Sequence, residues 1–93
     1  MNLIWVKFTF FRQRKVPPLP GVYLIQSEIG PIAAAHCIDL RVQFALQFTE
    51  PSTRALTDAL INSEEMSFGY MAIDSETDRT TTARDLLTCL QES

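Results

Sequence analysis

Ile38-Asp39-Leu40-Arg41-Val42-Gln43-Phe44-Ala45-Leu46-Gln47-Phe48 carries two incompatible patterns. Apolar residues at 38, 40, 42, 44, 46 and 48 alternate with mostly polar ones, and a period of two belongs to a strand. The same residues also make a buried helix, with Asp39 as N-cap, a row at Leu40, Phe44 and Phe48, and further apolar residues around the cylinder. Local periodicity favours the strand, and a strand here adds to the sheet where a helix would pack against it.

Upstream, Val16-Pro17-Pro18-Leu19-Pro20-Gly21 excludes regular structure, because three prolines lack amide donors and Gly21 permits a turn. Val22 to Gln26 then reads as a strand. Glu28-Ile29-Gly30-Pro31 supplies a turn, and Ile32 to His36 returns antiparallel as the second arm of a hairpin. Met1 to Phe11, apolar at 4, 6, 8 and 10 opposite Leu3, Trp5, Lys7 and Thr9, fits an edge strand or an extended arm.

Downstream of Pro51, Ser52 or Thr53 caps a helix with an apolar face of Ala55, Leu56, Ala59 and Leu60, ending near Asn62. Ser67 to Ile73 is a further strand, with Phe68, Tyr70 and Ala72 on one face and Gly69, Met71 and Ile73 on the other. Asp74 to Asp78 form an acidic turn. Thr82 and Asp85 have capping-box spacing for a last helix with Ala83, Leu86, Leu87 and Leu90 on one side. The expected core is Val22, Leu24, Ile32, Leu40, Phe44, Leu56, Leu60, Met71, Leu86, Leu87 and Leu90.

Ninety-three residues with 46% hydrophobic content make one domain over 1–93, with 1–15 as an N-terminal strand or arm and 16–93 as its core. Eleven acids against eight bases leave a net charge of −3, a poor global field for attracting a polyanion. Cys37 and Cys89 lie far apart with no Cys-x-x-Cys spacing, so both are expected as reduced, buried thiols. The apolar N-terminus is too short to span a bilayer, and its cations Arg12, Arg14 and Lys15 follow the apolar run instead of preceding it as in a secretory signal. A cytoplasmic protein without a membrane anchor is expected.

The order of elements and Pro20-Gly21-Val22-Tyr23-Leu24-Ile25 resemble the GIY-YIG endonucleases, in whose first strand the GIY triplet is often GVY preceded by proline. That family's next strand carries a YIG triplet, then a short polar link and a helix opening with Asp or Asn, Leu and a basic residue. Asp39-Leu40-Arg41 fits that opening, and counting back sets Ala33-Ala34-Ala35 on the YIG triplet. The resemblance spans residues 16 to 48. It implies a helix at 38–48, and thus a GIY-YIG-like α+β domain of three antiparallel strands packed with about three helices.

The resemblance also implies metal-assisted phosphodiester cleavage, which requires a carboxylate for the metal, a base for water and a cation for the pentavalent phosphate. Only Tyr23 stands where the family has a site residue. The second tyrosine falls on Ala33, the glycine of its triplet on Ala35 and the helical arginine on Gln43. Arg41 does not replace that arginine, because two residues along a helix rotate a side chain by about 200°. Asp85 and Glu92 on the last helix do not align with the metal-binding glutamate. No catalytic residue, metal ligand or cofactor is therefore expected, and Mg²⁺ or Mn²⁺ enters only if the chain is a nuclease after all.

His36, Cys37 and Asp39 have no fourth partner in sight, and strand neighbours point to opposite faces, so packing and surface account for them. Ser52, Ser63 and Ser67 lack a nucleophile-elbow context, and three scattered glycines make no phosphate loop. Arg12, Arg14 and Lys15 beside Phe10 and Phe11, together with Arg41, form the candidate nucleic-acid contact, with a solvated turn as the plainer reading. The expected function is a non-catalytic module that binds a protein partner or serves structurally. Nucleic-acid binding or weak metal-dependent nuclease activity is the alternative, and the Phe-rich N-terminus offers a surface for a homodimer.

Overall fold

The structure is a computed structural model that describes the backbone of residues 3–92 and the side chains of residues 3–88. The order of elements is β1 (Ile4–Lys7), a 3-10 helix (Phe10–Lys15), β2 (Gly21–Ser27), β3 (Gly30–Cys37), α1 (Leu40–Thr49), α2 (Arg54–Ile61), β4 (Met66–Ala72) and α3 (Glu76–Glu92). The chain is α+β, with one antiparallel sheet in the order β1-β4-β2-β3.

The sheet has four strands where three were expected. The N-terminal segment is not a loose arm, because Ile4 to Lys7 pair with Tyr70 to Ser67 and the Phe8 amide extends the ladder to the Met66 carbonyl at 2.9 Å. The hairpin of β2 and β3 turns through Glu28 and Ile29. Gly30, at φ 142°, occupies a region that side chains avoid, and a bulge after Ile25 adjusts the register.

Residues 40–49 are helical despite their period-two pattern. The Asp39 carboxylate accepts the Val42 amide at 3.1 Å, and the helix buries Leu40, Phe44 and Gln47, a spacing of i, i+4 and i+7. The alternation arises because Val42 and Leu46 are also apolar although they lie away from that stripe. In α2, Thr53 caps the Leu56 amide at 3.1 Å; Leu56 and Ala59 are buried, but the expected Ala55 is exposed.

The last helix begins at Glu76, not near Thr82, so the acidic turn is shorter than expected. Ser75 accepts the Asp78 amide at 3.3 Å, and Glu76 and Asp78 place negative charge against the positive end of the helix dipole. Thr80 and Thr88 return their hydroxyls to carbonyls one turn back, at 2.9 Å each, so they sit in the helix without an unpaired group.

Helices cover both faces of the sheet. On one, Phe8, Val16, Tyr23, Ile25, Ala33, Leu40, Phe44, Leu56, Phe68 and Tyr70 form the main core. Phe68 lies at its centre, packed against Phe8, Tyr23, Phe44 and Tyr70. On the other, Val22, Ala83 and Leu86 form a smaller cluster with half-buried Leu24, Ala34 and Met71 around it. Of the expected core, Val22, Leu40, Phe44, Leu56 and Leu86 are buried, and Leu24, Ile32, Leu60 and Met71 are half-buried. Leu87 is exposed, and the Leu90 and Cys89 side chains lie outside the described residues. Among the described residues no helix is long and apolar enough to cross a membrane.

Candidate functional site

Tyr23 points from β2 into the main core and is 2% exposed, its ring stacked on Phe68 at a centroid distance of 5.3 Å. A buried phenol needs a partner for its hydroxyl. That partner comes from α1, where the Gln47 side chain, 3% exposed, donates through Nε2 to the Tyr23 hydroxyl at 3.3 Å. The same nitrogen donates to Gln43 Oε1 at 3.2 Å, and Gln47 Oε1 accepts the Ser52 amide at 2.9 Å. One amide side chain therefore joins β2, the outer turn of α1 and the start of the α1–α2 loop.

Burial pushes the Tyr23 phenol up to about 12, the neighbouring Cys37 thiol adds to this, and a hydrogen bond with Ser52 partly offsets it. Burial is also the main cause of the raised Cys37 thiol, which is free. At neutral pH both groups keep their protons. Neither is a base or a nucleophile, and the network consists of a phenol, two amides and a hydroxyl.

Ala33 and Ala35, on β3, face the same side of the sheet as Tyr23: Ala33 is opposite Ile25 and Ala35 opposite Tyr23. Ala33 is fully packed in the main core, where a larger ring would meet the surrounding side chains. Gln43 lies beside the phenol through Gln47, whereas Arg41 turns away from it. The Arg41 guanidinium donates from Nε to the Val16 carbonyl at 2.8 Å and from Nη2 to the Arg14 carbonyl at 3.5 Å. Tyr70 donates its hydroxyl to the Lys15 carbonyl at 3.4 Å. Arg41 and Tyr70 thus clamp the C-terminal end of the 3-10 helix, from which Arg12, Arg14 and Lys15 project into solvent.

The candidate residues accordingly divide into two places. Tyr23, Ala33, Ala35 and Gln43 gather around a buried neutral network, and Arg12, Arg14, Lys15 and Arg41 gather around the 3-10 helix. Asp85 is exposed on α3, and the Glu92 side chain lies outside the described residues. His36 is exposed and Cys37 buried, as strand neighbours should be, and Asp39 is engaged as the cap of α1. Among the described residues no three His, Cys, Asp or Glu side chains cluster as metal ligands.

Two features were not anticipated from sequence. Gln47 completes the Tyr23 network, and its signal was the Gln43–Gln47 pair at i, i+4. The second is a groove of about 520 Å³ between the 3-10 helix and α1, lined by Phe10, Gln13, Arg41, Val42, Ala45, Leu46 and Thr49. Its signal was the excess of apolar residues on α1. Comparison with protein-family models, curated proteins and solved structures gives no match.

Proposed function

We propose that this chain is a non-catalytic domain of GIY-YIG-like design that acts by binding a protein partner. The observation that carries the reading is the closed network of Tyr23, Gln47, Gln43 and Ser52 at the place where the resemblance puts nuclease chemistry. Cleavage of a phosphodiester needs charge to stabilise charge, and a nuclease tyrosine must reach water or phosphate. Here the phenol is buried, holds its proton and is engaged by a neutral amide. The hairpin, the Asp39-capped helix and the order of later elements support the GIY-YIG-like part of the reading.

A second reading, nucleic-acid binding with or without weak cleavage, is favoured by the gathering of Arg12, Arg14, Lys15 and Arg41 on one side of the molecule. Against it stand the net charge of −3 and the small number of cations available for phosphate contacts. One experiment separates the two. The purified chain, incubated with Mg²⁺ or Mn²⁺ and with single- and double-stranded DNA and RNA, is expected to leave every substrate intact and to show no salt-sensitive binding. Metal-dependent cleavage that disappears in Tyr23→Phe would overturn the non-catalytic reading, and tight, salt-sensitive binding without cleavage would favour the second.

A further inference from the structure

An α-helix packed on one side should carry its apolar residues on that side and polar ones opposite. Helix α1 departs from this. Leu40, Phe44 and Gln47 fill the core stripe, yet Val42 is 56% exposed, and Ala45 and Leu46 are only half-buried. The 3-10 helix lies across this outer face without closing over it: Phe10 is 54% exposed and Phe11 92% exposed. Between them runs the groove of about 520 Å³, whose floor is Phe10, Val42, Ala45 and Leu46. Apolar residues in these numbers on a face the core does not use mark a surface that is covered by something else.

The charge around the groove indicates what covers it. Residues 1–27 contain no Asp or Glu, and neither does α1 from Leu40 to Thr49. Arg12, Arg14, Lys15 and Arg41 are four of the eight Lys and Arg residues of a chain whose net charge is −3. Positive charge is therefore concentrated along the 3-10 helix and at Arg41 beside this apolar groove, while the nearest acids in sequence, Asp39 and Glu50, stand at the two ends of α1, Asp39 engaged as its cap. Arg41 lines the groove and is fixed by its bonds to the Val16 and Arg14 carbonyls, while Arg12, Arg14 and Lys15 stand exposed on the adjoining 3-10 helix, outside the lining itself.

We propose that the groove between the 3-10 helix and α1 is the docking site for an acidic amphipathic segment of a partner protein. This rests on the protein-binding reading above and names the partner's chemistry. Two or three apolar anchors of the segment fill the floor over Phe10, Val42 and Leu46, and flanking Asp or Glu side chains meet Arg12, Arg14 and Lys15. Helix α1, ten residues long, spans about 15 Å, enough to seat roughly three turns of a helical segment. A nucleic-acid duplex matches the cations but keeps its bases stacked inside, and a single strand finds only Phe10 to stack on in a groove whose other apolar lining is Val42, Ala45 and Leu46, which is why a peptide fits better.

The test is selection of a random peptide library displayed on phage against the full chain, followed by titration of the selected peptides as labelled synthetic probes. The expected winners combine two or more large apolar residues with Asp or Glu and carry little Lys or Arg. Their affinity should fall about tenfold or more in Arg12→Glu/Arg14→Glu, whose side chains are exposed, and in Val42→Asp. Higher salt should weaken them, and amide shifts should move within residues 10–15 and 41–49. Circular dichroism of the variants, matching the wild type, separates lost docking from lost folding.

Winners that bind Arg12→Glu/Arg14→Glu and Val42→Asp as tightly as the wild type would remove the groove and leave the protein-binding reading standing. No enrichment, with salt-sensitive binding of a DNA or RNA duplex that Arg12→Glu/Arg14→Glu abolishes, would overturn both. Self-association that Val42→Asp abolishes would assign the groove to a second copy, which presents Ile61 among Asp58, Glu64 and Glu65, and would overturn the partner segment.

Discussion

Gln47 makes use of nearly all the hydrogen-bonding capacity of a primary amide, donating to Tyr23 and Gln43 and accepting from Ser52. An unpaired amide at 3% exposure would cost on the order of 1–3 kcal/mol, so Tyr23 and Gln47 satisfy each other's burial. This predicts an alkaline instability. The phenol ionises in the unfolded chain near its ordinary value of 10.0 and in the folded chain only at about 12. The stabilisation is thus complete below pH 10, and it is lost as pH rises toward 12 because the unfolded state releases the proton first. Two pH steps correspond to about 2–3 kcal/mol. Urea unfolding of the wild type should show this fall, with the raised Cys37 thiol contributing a further fall of the same sign. Tyr23→Phe should cost about 1 kcal/mol at neutral pH and lose the Tyr23 part of the alkaline slope. An unchanged slope in the variant would mean that Tyr23 is not buried as described. Tyr23 was legible as a candidate from its strand and triplet, but its closure was not, because the partner that closes it lies 24 residues away on another element.

Helix α1 shows why local pattern and structure part company. Its alternating apolar residues serve two surfaces, the core through Leu40 and Phe44 and the groove through Val42 and Leu46, and the sum of two helical stripes imitates a strand. Asp39 was the local sign of a helix, and it is used, its carboxylate holding the Val42 amide at 3.1 Å. Asp39→Ala should therefore lower stability by about 1 kcal/mol, read from the urea midpoint with an unchanged slope against denaturant. An effect below about 0.3 kcal/mol would assign the start of the helix to Leu40 packing alone. The hairpin and β4 were legible within a residue or two because turn residues and alternation agreed there. The start of α3 was not, since Thr82 and Asp85 read as its capping box, whereas the Ser75 cap starts the helix two turns earlier and Thr80 returns its hydroxyl to the Glu76 carbonyl within it.

At the scale of the molecule, the first strand meets the last, and Ile4 pairs with Tyr70 across nearly the whole chain. The N-terminal segment read equally as an edge strand or an extended arm, and it is the edge strand; its partner β4 was not legible, because nothing local marks a pairing so far along the chain. Phe8 shows that it belongs to the core. It is 4% exposed, stacked on Phe48 at 4.2 Å and set edge-on to Phe44 at 5.1 Å, so it ties β1 to α1 as well as to β4. Phe11, three residues on, is 92% exposed. Removing a buried phenyl ring costs about 3–5 kcal/mol through lost transfer energy and the cavity left behind, whereas removing an exposed one costs almost nothing. Phe8→Ala should therefore take away a large share of a total stability that is typically about 5–15 kcal/mol, while Phe11→Ala leaves unfolding unchanged. Urea denaturation followed by Trp5 fluorescence reads both variants, because Trp5 sits on β1, packed over Gly69 of β4. A single transition for wild type and variants means that β1 unfolds with the rest. If Phe8→Ala instead released the Trp5 signal in a separate early transition while helical circular dichroism held, β1 would be an accessory edge on a three-stranded core. The groove would then open with it, since β1 leads directly into the 3-10 helix that forms one of its walls.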